Sequence, residues 1–147
     1  MNPDLYVIRR SQRHGGLLFD TMGKGRLVEY PDRNVVALSR SLSAEQIAEE
    51  MRKALRLAES GAVTYCAAIN EGEKAVTKAV REAGYPLVVM MLDGFPPEGT
   101  EAARFFHTGG VYHRMCGEGR LYLMAPLPQN YDDAEVIART ELELKRK

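Results

Sequence analysis

The chain has 147 residues, of which 45% are hydrophobic and 27% charged, and its 20 basic side chains balance its 20 acidic ones. This length suits one domain with a single core, and the composition excludes an intrinsically disordered chain. The zero net charge excludes a bulk attraction to nucleic acid or to an anionic membrane. Positive charge is modestly concentrated in residues 1–42, which hold seven Lys or Arg against four acids.

Compartment is indicated by the cysteines and by the apolar runs. Cys66 and Cys116 fit neither a metal-binding nor a disulfide spacing, which indicates a reducing compartment. The first ten residues do not resemble a signal peptide, and the longest apolar run, Leu87–Leu92, is too short to span a bilayer. We therefore expect a cytoplasmic protein with no membrane partner.

Residues 1–34 are predicted to form an N-terminal β-hairpin extension. Leu5–Ile8 reads as a short strand that is followed by a polar break. Leu17–Asp20 and Arg26–Tyr30 then flank a loop, Thr21–Gly25, whose two glycines permit positive φ. The alternative is an irregular segment that lies over the domain.

Residues 35–126 alternate strand and helix patterns, and residues 127–147 form a C-terminal helix. Ser43 with Gln46, and Asn70 with Glu73, fit capping boxes at the starts of two helices. We predict strands at 35–38, 63–67, 87–92 and 121–124, and helices at 44–60, 71–83, 100–107 and 131–146. The strand at 87–92 is the most apolar and is expected to be central, whereas Val111–Gly119 has no clear pattern. The C-terminal helix has few apolar positions, namely Val136, Ile137, Leu142 and Leu144.

This alternation predicts an α/β fold in one domain, residues 1–147. It is a Rossmann-like, doubly wound, mainly parallel sheet with helices on both faces and the N-terminal hairpin as an extension. Ligands of such sheets bind outside the carboxyl ends of the strands, near the point where strand order reverses. We therefore place the candidate site in the turns after the strands.

The turn from Cys66 to Gly72 is the first candidate, because Ala67 and Ala68 would let a ligand approach the backbone. Glu71 and Glu73 add negative charge at the helix start, so a phosphate there would need a cation such as Arg40 from the preceding turn. No G-x-G-x-x-G or Walker A motif is present. A purely structural turn is an equally good interpretation.

Other side chains have weaker claims to chemistry. Cys66 is either a nucleophile at a strand end or, more commonly for such a position, a small core residue. His107, His113 and Cys116 match no standard zinc spacing, so neither a metal nor another cofactor is expected. Four aromatic residues are candidates either to stack a base or to fill the core: Phe95, Phe105, Phe106 and Tyr112.

A carboxylate pair is the basis of an enzymatic alternative. Asp93 and Glu98 flank the loop after the central strand, and with Glu73 they could carry out N-glycosidic cleavage of a nucleotide-derived ligand. Ordinary exposed loop charge explains Asp93 and Glu98 equally well.

Residues 35–126 resemble the Rossmann-like domain of the DNA-processing protein A (DprA/Smf) family, within the wider group that includes the Lonely guy proteins. The resemblance is carried by three segments: Val35–Arg40, Ala48–Thr64 and Ala79–Gly94. It differs at the family's Ser-Gly-x-Ala-x-Gly-Ile-Asp turn, where Ala68 fits but the Arg, second Gly and Asp positions hold Ile69, Asn70 and Gly72. The Pro-Gly-Gly-x-Gly-Thr-x-x-Glu motif of the Lonely guy enzymes is absent.

The resemblance implies a non-catalytic module that binds single-stranded DNA or a nucleotide at the carboxyl edge of the sheet. The residues expected to bind the ligand are Ser39, Arg40, Ala67, Ala68, Asn70 and Gly94. Of these, Arg40 is the DNA-contact position that carries over from the family. A ligand-sensing or assembly domain that forms a homo-oligomer is a further alternative.

Overall fold

The computed structural model describes residues 3–92, 94–95, 111–127 and 131–146, and within them one six-stranded sheet carries four α-helices. The strands are β1 (Arg9–His14), β2 (Leu17–Gly23), β3 (Arg33–Val36), β4 (Val63–Cys66), β5 (Leu87–Met90) and β6 (Leu121–Pro126). The helices are α1 (Ala44–Glu59), α2 (Glu71–Glu82), α3 (Val111–Gly117) and α4 (Tyr131–Arg146). Short 3-10 helices cover Pro3–Tyr6 and Gly25–Glu29.

The sheet has the order β1-β2-β6-β5-β4-β3. The four strands from β3 to β6 are parallel, whereas β2 pairs antiparallel with both β1 and β6. The prediction of a mainly parallel sheet is therefore confirmed, whereas the N-terminal hairpin, which was expected as an extension, is part of the sheet. The central position of β5 is also confirmed, and all four of its residues are buried.

Each face of the sheet is covered by its own helices. On the first face α1, α2 and α3 pack on one apolar cluster, whose largest fully buried members include Met22, Leu87, Met115, Leu121 and Leu123. On the second face α4 and the 3-10 helix Gly25–Glu29 pack on another, which includes Phe19, Leu27, Tyr65, Met124 and Leu142. Helices on both faces were predicted, and this part of the prediction is confirmed.

The order of the parallel strands differs from that of a doubly wound sheet. β3, β4, β5 and β6 lie side by side in chain order, so the described sheet has no point among them where strand order reverses. Because right-handed crossovers between successive neighbours all fall on one side, α1, α2 and α3 share a face, and among the described α-helices α4 covers the other. The expectation of a reversal point was wrong, although the carboxyl edge itself is where the sequence placed it.

The hairpin is formed by other residues than predicted. Its strands are β1 and β2, joined by Gly15-Gly16, both of which have positive φ as type I′ turns require. Leu5–Ile8 is not a strand, and Arg26–Tyr30 is mostly 3-10 helix. β1 was not predicted as a strand because its sequence, RRSQRH, is polar. At the edge of the sheet it alternates exposed and half-buried positions and has no core face.

Both predicted capping boxes are present. Ser43 Oγ accepts the Gln46 amide at 3.1 Å, and Asn70 Oδ1 accepts the Glu73 amide at 2.9 Å, while both N3 side chains accept the cap amide in return. Helix α4 covers Tyr131–Arg146, close to the predicted bounds. Of its predicted apolar positions Leu142 is buried, whereas Val136 and Leu144 are exposed; Ala134 and Ala138 are buried as well.

Two remaining predictions concern the segment before β6. The stretch without a clear pattern contains helix α3, and the helix predicted at 100–107 lies outside the described residues. In the part of the chain that the structure describes, no helix has both the length and the apolar character that crossing a bilayer requires.

Candidate functional site

A cleft of about 300 Å³ opens at the carboxyl edge of the sheet, between the ends of β4 and β5. The chain leaves β4 through a turn that leads into α2, so the first turn of α2 lies beside the strand ends. The lining residues are Ala67, Ala68, Ile69, Lys74, Met90, Met91 and Leu92. Among these described residues Lys74 has the only ionisable side chain, and the others bring apolar side chains together with polar backbone groups.

The backbone of the β4–α2 turn has an unusual conformation at Ala68. Its φ is +52°, in the left-handed region that residues other than glycine and asparagine seldom adopt, and such a conformation costs about 1–2 kcal/mol. The Ala68 amide donates to Cys66 Sγ at 3.2 Å. With only methyl side chains at Ala67 and Ala68, this turn leaves the backbone accessible from the cleft.

Glu73 lies fully buried below the turn, and both of its carboxylate oxygens are already hydrogen-bonded. Oε2 accepts the Leu38 amide at 2.9 Å and Arg139 Nη1 at 2.6 Å. Oε1 accepts Arg139 Nη2 and the Ile69 amide, each at 3.1 Å. Burial pushes the pKa of Glu73 upward, but the hydrogen bonds from Arg139 and from the backbone amides outweigh it and the pKa is lowered.

This arrangement changes the electrostatics expected at the start of α2. From the sequence we expected both Glu71 and Glu73 to repel an anion, but the bidentate contact with Arg139 neutralises the charge of Glu73. Glu71 is exposed, where water screens its charge. A negatively charged ligand in the cleft would therefore meet less repulsion than the sequence alone indicates.

Asn70 is committed to the fold through both ends of its amide. Its Oδ1 caps α2, and its Nδ2 donates to the Leu38 carbonyl at 2.8 Å. The side chain is buried, and it ties the end of β3 to the start of α2. Asn70 was expected to contact a ligand, but its position favours a structural role.

Ser39 and Arg40 lie in the turn after β3 and do not line the cleft. The Ser39 hydroxyl contacts the Ser41 hydroxyl at 2.9 Å. The Arg40 side chain is 68% exposed, and its Nη2 is 3.5 Å from Glu135 Oε1 on α4. Of the six residues expected to bind a ligand, the cleft thus contains only Ala67 and Ala68.

The loop after β5 is described only in part. Gly94 has a φ of +77° and its amide donates to the Met91 carbonyl at 3.4 Å. Asp93 and Glu98, the carboxylates of the enzymatic alternative, lie outside the described residues, as do Phe105, Phe106 and His107. Phe95 is buried in the first core cluster rather than free to stack a base.

Both cysteines are buried in the core. Burial raises the pKa of Cys66 to about 11 and that of Cys116 to about 11, so neither thiol is ionised near neutral pH. The Cys116 thiol donates to the Leu5 carbonyl at 2.7 Å. Among the described residues no three His, Cys, Asp or Glu side chains gather in a way that could hold a metal ion.

Sequence reasoning missed Lys74 and Arg139. Lys74 could have been found, because the first turn of a helix after a parallel strand lies at the strand ends and Lys74 follows the capping box directly. Arg139 could not, because it is 66 positions from Glu73 and only the packing of α4 brings the two together.

Comparisons with known protein families, with curated protein sequences and with solved structures find no match to this chain.

Proposed function

We propose that this protein is a non-catalytic binding module for a small anionic ligand of the mononucleotide type, held in the cleft between the ends of β4 and β5. The observation that carries the proposal is the cleft itself, whose described lining combines the Lys74 ammonium with apolar side chains and with backbone groups of the β4–α2 turn. Its volume of about 300 Å³ lies at the lower end of the usual range for small-molecule sites.

The two halves of such a ligand match different parts of the cleft. Met91 and Leu92, which are half-buried, supply apolar surface against which a base can lie, and the thioether of Met91 is polarisable. The Lys74 ammonium is a point charge suited to a phosphate. The small Ala67 and Ala68 leave room for close approach to the turn. An apolar ring with one anionic group therefore fits better than a purely polar ligand.

We also keep three predictions as proposals: a relationship to the DprA family, a Rossmann-like fold and the binding of single-stranded DNA. A DNA strand needs a series of cations along its backbone, with aromatic side chains on which bases stack. The lining that the structure describes has one lysine, and Arg40 lies near Glu135 on an exposed surface. These features favour a mononucleotide over a DNA strand.

The enzymatic alternative has less support. Glu73 is fully buried, and its two oxygens accept hydrogen bonds from Arg139 and from backbone amides, so it is poorly placed to exchange a proton with a ligand. Asp93 lies outside the described residues. We therefore assign Glu73 a structural role and the cleft a binding role.

Calorimetric titration with AMP and UMP tests the proposal. In Lys74→Gln the loss of a charge-assisted contact is expected to weaken binding by roughly 10- to 100-fold. Lys78→Gln is the matched control, because Lys78 lies one turn further along α2, is exposed and has a described ion pair with Glu82 at 4.0 Å. Its affinity should stay within about twofold of the wild type.

Two results would contradict the proposal. One is the absence of binding at millimolar nucleotide; the other is an equal loss of affinity in both lysine variants. A fluorescence-anisotropy titration with single-stranded oligothymidine separates the DNA alternative. Tight binding that falls steeply with salt and is lost in Arg40→Gln would favour DNA instead.

A further inference from the structure

A second cavity, of about 210 Å³, lies at the opposite edge of the sheet, where α2 and α3 end and β5 and β6 begin. Its lining side chains are Arg81, Glu82, Arg114, Glu118 and Arg120. Three guanidinium groups thus meet at one cavity. Like charges brought together in this way repel each other, so their convergence calls for a physical reason.

The two carboxylates of the cavity do not balance the three arginines. Glu118 accepts a hydrogen bond from Arg120 Nε at 3.1 Å. Glu82 is exposed, and its described ion pair is a loose 4.0 Å contact with Lys78 rather than with an arginine. The cavity therefore keeps an excess of positive charge.

Two of the lining arginines each have an N–H group that is buried without a hydrogen-bond acceptor among the residues that the structure describes, Arg81 Nε and Arg120 Nη1. A buried donor left unsatisfied destabilises a protein by about 1–3 kcal/mol, and by more when the group is charged. Such groups are rare in folded proteins, and an acceptor supplied from outside the chain is one explanation of them.

Both arginines are held in place by neighbouring groups. The Arg81 guanidinium lies 5.5 Å from the centre of the Tyr112 ring, a cation–π contact. Arg120 donates a hydrogen bond to Glu118, and its Nη1 lies close to Gly84, which follows the C-terminal end of α2. Because these side chains are already ordered, a ligand that binds them loses little additional side-chain entropy.

Helix dipoles explain only part of this arrangement. Arg81 lies in the last turn of α2 and Arg114 in the last turn of α3, where a cation stabilises the partial negative charge of the helix terminus. That interaction works at an exposed position and does not require an N–H to be buried without an acceptor. The two unsatisfied donors remain unexplained by the dipoles.

We propose that this cavity is a binding site for a small oxyanion of the phosphate class, which accepts hydrogen bonds from Arg81 Nε and Arg120 Nη1 while Arg114 adds charge from the rim. Guanidinium groups suit phosphate oxygens through their planar, multiple donors. The site is separate from the cleft at Lys74, because the two lie at opposite edges of the sheet.

Thermal unfolding in inorganic phosphate, with chloride added to keep the ionic strength constant, tests the proposal. The midpoint of the wild-type protein should rise with phosphate concentration, because a ligand that binds only the folded state stabilises it. Arg120→Gln and Arg81→Gln should each raise the phosphate dissociation constant at least tenfold. Arg114→Gln, a change at an exposed position, should raise it severalfold.

Two controls decide where phosphate binds. Arg56→Gln removes the corresponding last-turn cation of α1, where the structure describes no such cavity, and should keep the wild-type response. Lys74→Gln removes the cation of the cleft at the other edge of the sheet, so the phosphate response that remains in this variant is that of the arginine cavity. Phosphate should shift the backbone amide NMR signals of Gly84 and Gly119, a readout that does not depend on any variant folding.

Three results would overturn the proposal. The first is a midpoint that phosphate raises no more than chloride does. The second is an equal loss of response in Arg120→Gln and Arg56→Gln. The third is a loss in Lys74→Gln with a normal response in Arg120→Gln, which would place the phosphate in the cleft. If Arg81→Gln does not fold, Arg114→Gln and the NMR shifts still decide between these outcomes.

Discussion

Glu73 joins three parts of the chain through a single carboxylate. It closes the capping box of α2, accepts the Leu38 amide at the end of β3, and forms a bidentate pair with Arg139 of α4. Because α2 and α4 lie on opposite faces, this pair links the two faces across the carboxyl edge of the sheet. A buried carboxylate that holds the fold in this way must remain paired.

Arg139→Gln is expected to destabilise the protein by about 2 kcal/mol at neutral pH. Breaking a buried ion pair typically costs 3–5 kcal/mol, but the Arg139 side chain is 30% exposed, which reduces the effect. Chemical denaturation provides the measurement. Arg146→Gln, which removes an exposed arginine from the same helix, should change stability by less than about 0.5 kcal/mol and serves as the control.

The effect of Arg139→Gln should depend on pH with a definite sign. Glu73 has a lowered pKa in the folded state, so its contribution to stability is present above the ordinary carboxyl pKa and is lost as pH falls through the folded value. The difference between wild type and Arg139→Gln should therefore shrink on acidification. A difference that stays constant from pH 7 to pH 3 would show that the variant acts through packing alone.

Both long helices of the first face begin with a capping box, yet the two caps have different surroundings. Ser43 is exposed, and the hydrogen bond described for its side chain lies within its own box. Asn70 is buried and also binds the Leu38 carbonyl of the neighbouring strand end. The same local motif thus contributes helix stability in α1, and both helix stability and strand attachment in α2.

Ser43→Ala should cost about 1 kcal/mol, as is usual for loss of a cap. Asn70→Ala should cost about 2–3 kcal/mol, because it also leaves the Leu38 carbonyl without its donor. Paired urea denaturation of the two variants measures the difference. Equal losses would mean that the contact between Asn70 and Leu38 contributes nothing.

Features that depend on residues within one helix or strand were predicted from the sequence, whereas contacts between distant elements were not. The caps of α1 and α2, the apolar pattern of β5 and the start of α4 depend on neighbouring residues, and the structure confirms them. β1 was missed because its polar sequence has no apolar alternation and becomes a strand only by pairing with β2. The site divides in the same way, since Ala67 and Ala68 follow a strand in sequence whereas Arg139 reaches Glu73 only through packing.

At the scale of the whole molecule, the N-terminal hairpin is part of the sheet rather than a covering. β2 pairs with β6 from Gly23↔Tyr122 to Phe19↔Pro126, and Phe19 and Met22 are fully buried, one on each face. Gly23 passes so close to the Leu121 carbonyl that it leaves no room for a Cβ. The hairpin therefore completes both cores.

Deletion of residues 1–24 should abolish cooperative unfolding. It removes two fully buried apolar side chains, each contributing about 1.5–3 kcal/mol, and turns the apolar β6 into an open edge prone to aggregation. Size-exclusion chromatography and circular dichroism provide the measurement. Gly15→Asn keeps the type I′ turn and should fold normally, while a monomeric deletion variant with an unchanged midpoint would mean that the hairpin is dispensable.

The pairing of β2 with β6 also constrains how the protein can fold as it is made. About 100 residues separate the two strands, so β2 is synthesised roughly 5–20 s before its partner. Helix α4, which covers the second face, is made later still. In the nascent chain Phe19 and Tyr65 therefore remain without the helix that buries them in the folded protein. The polar sequence of β1 helps to keep the early hairpin from pairing with other chains.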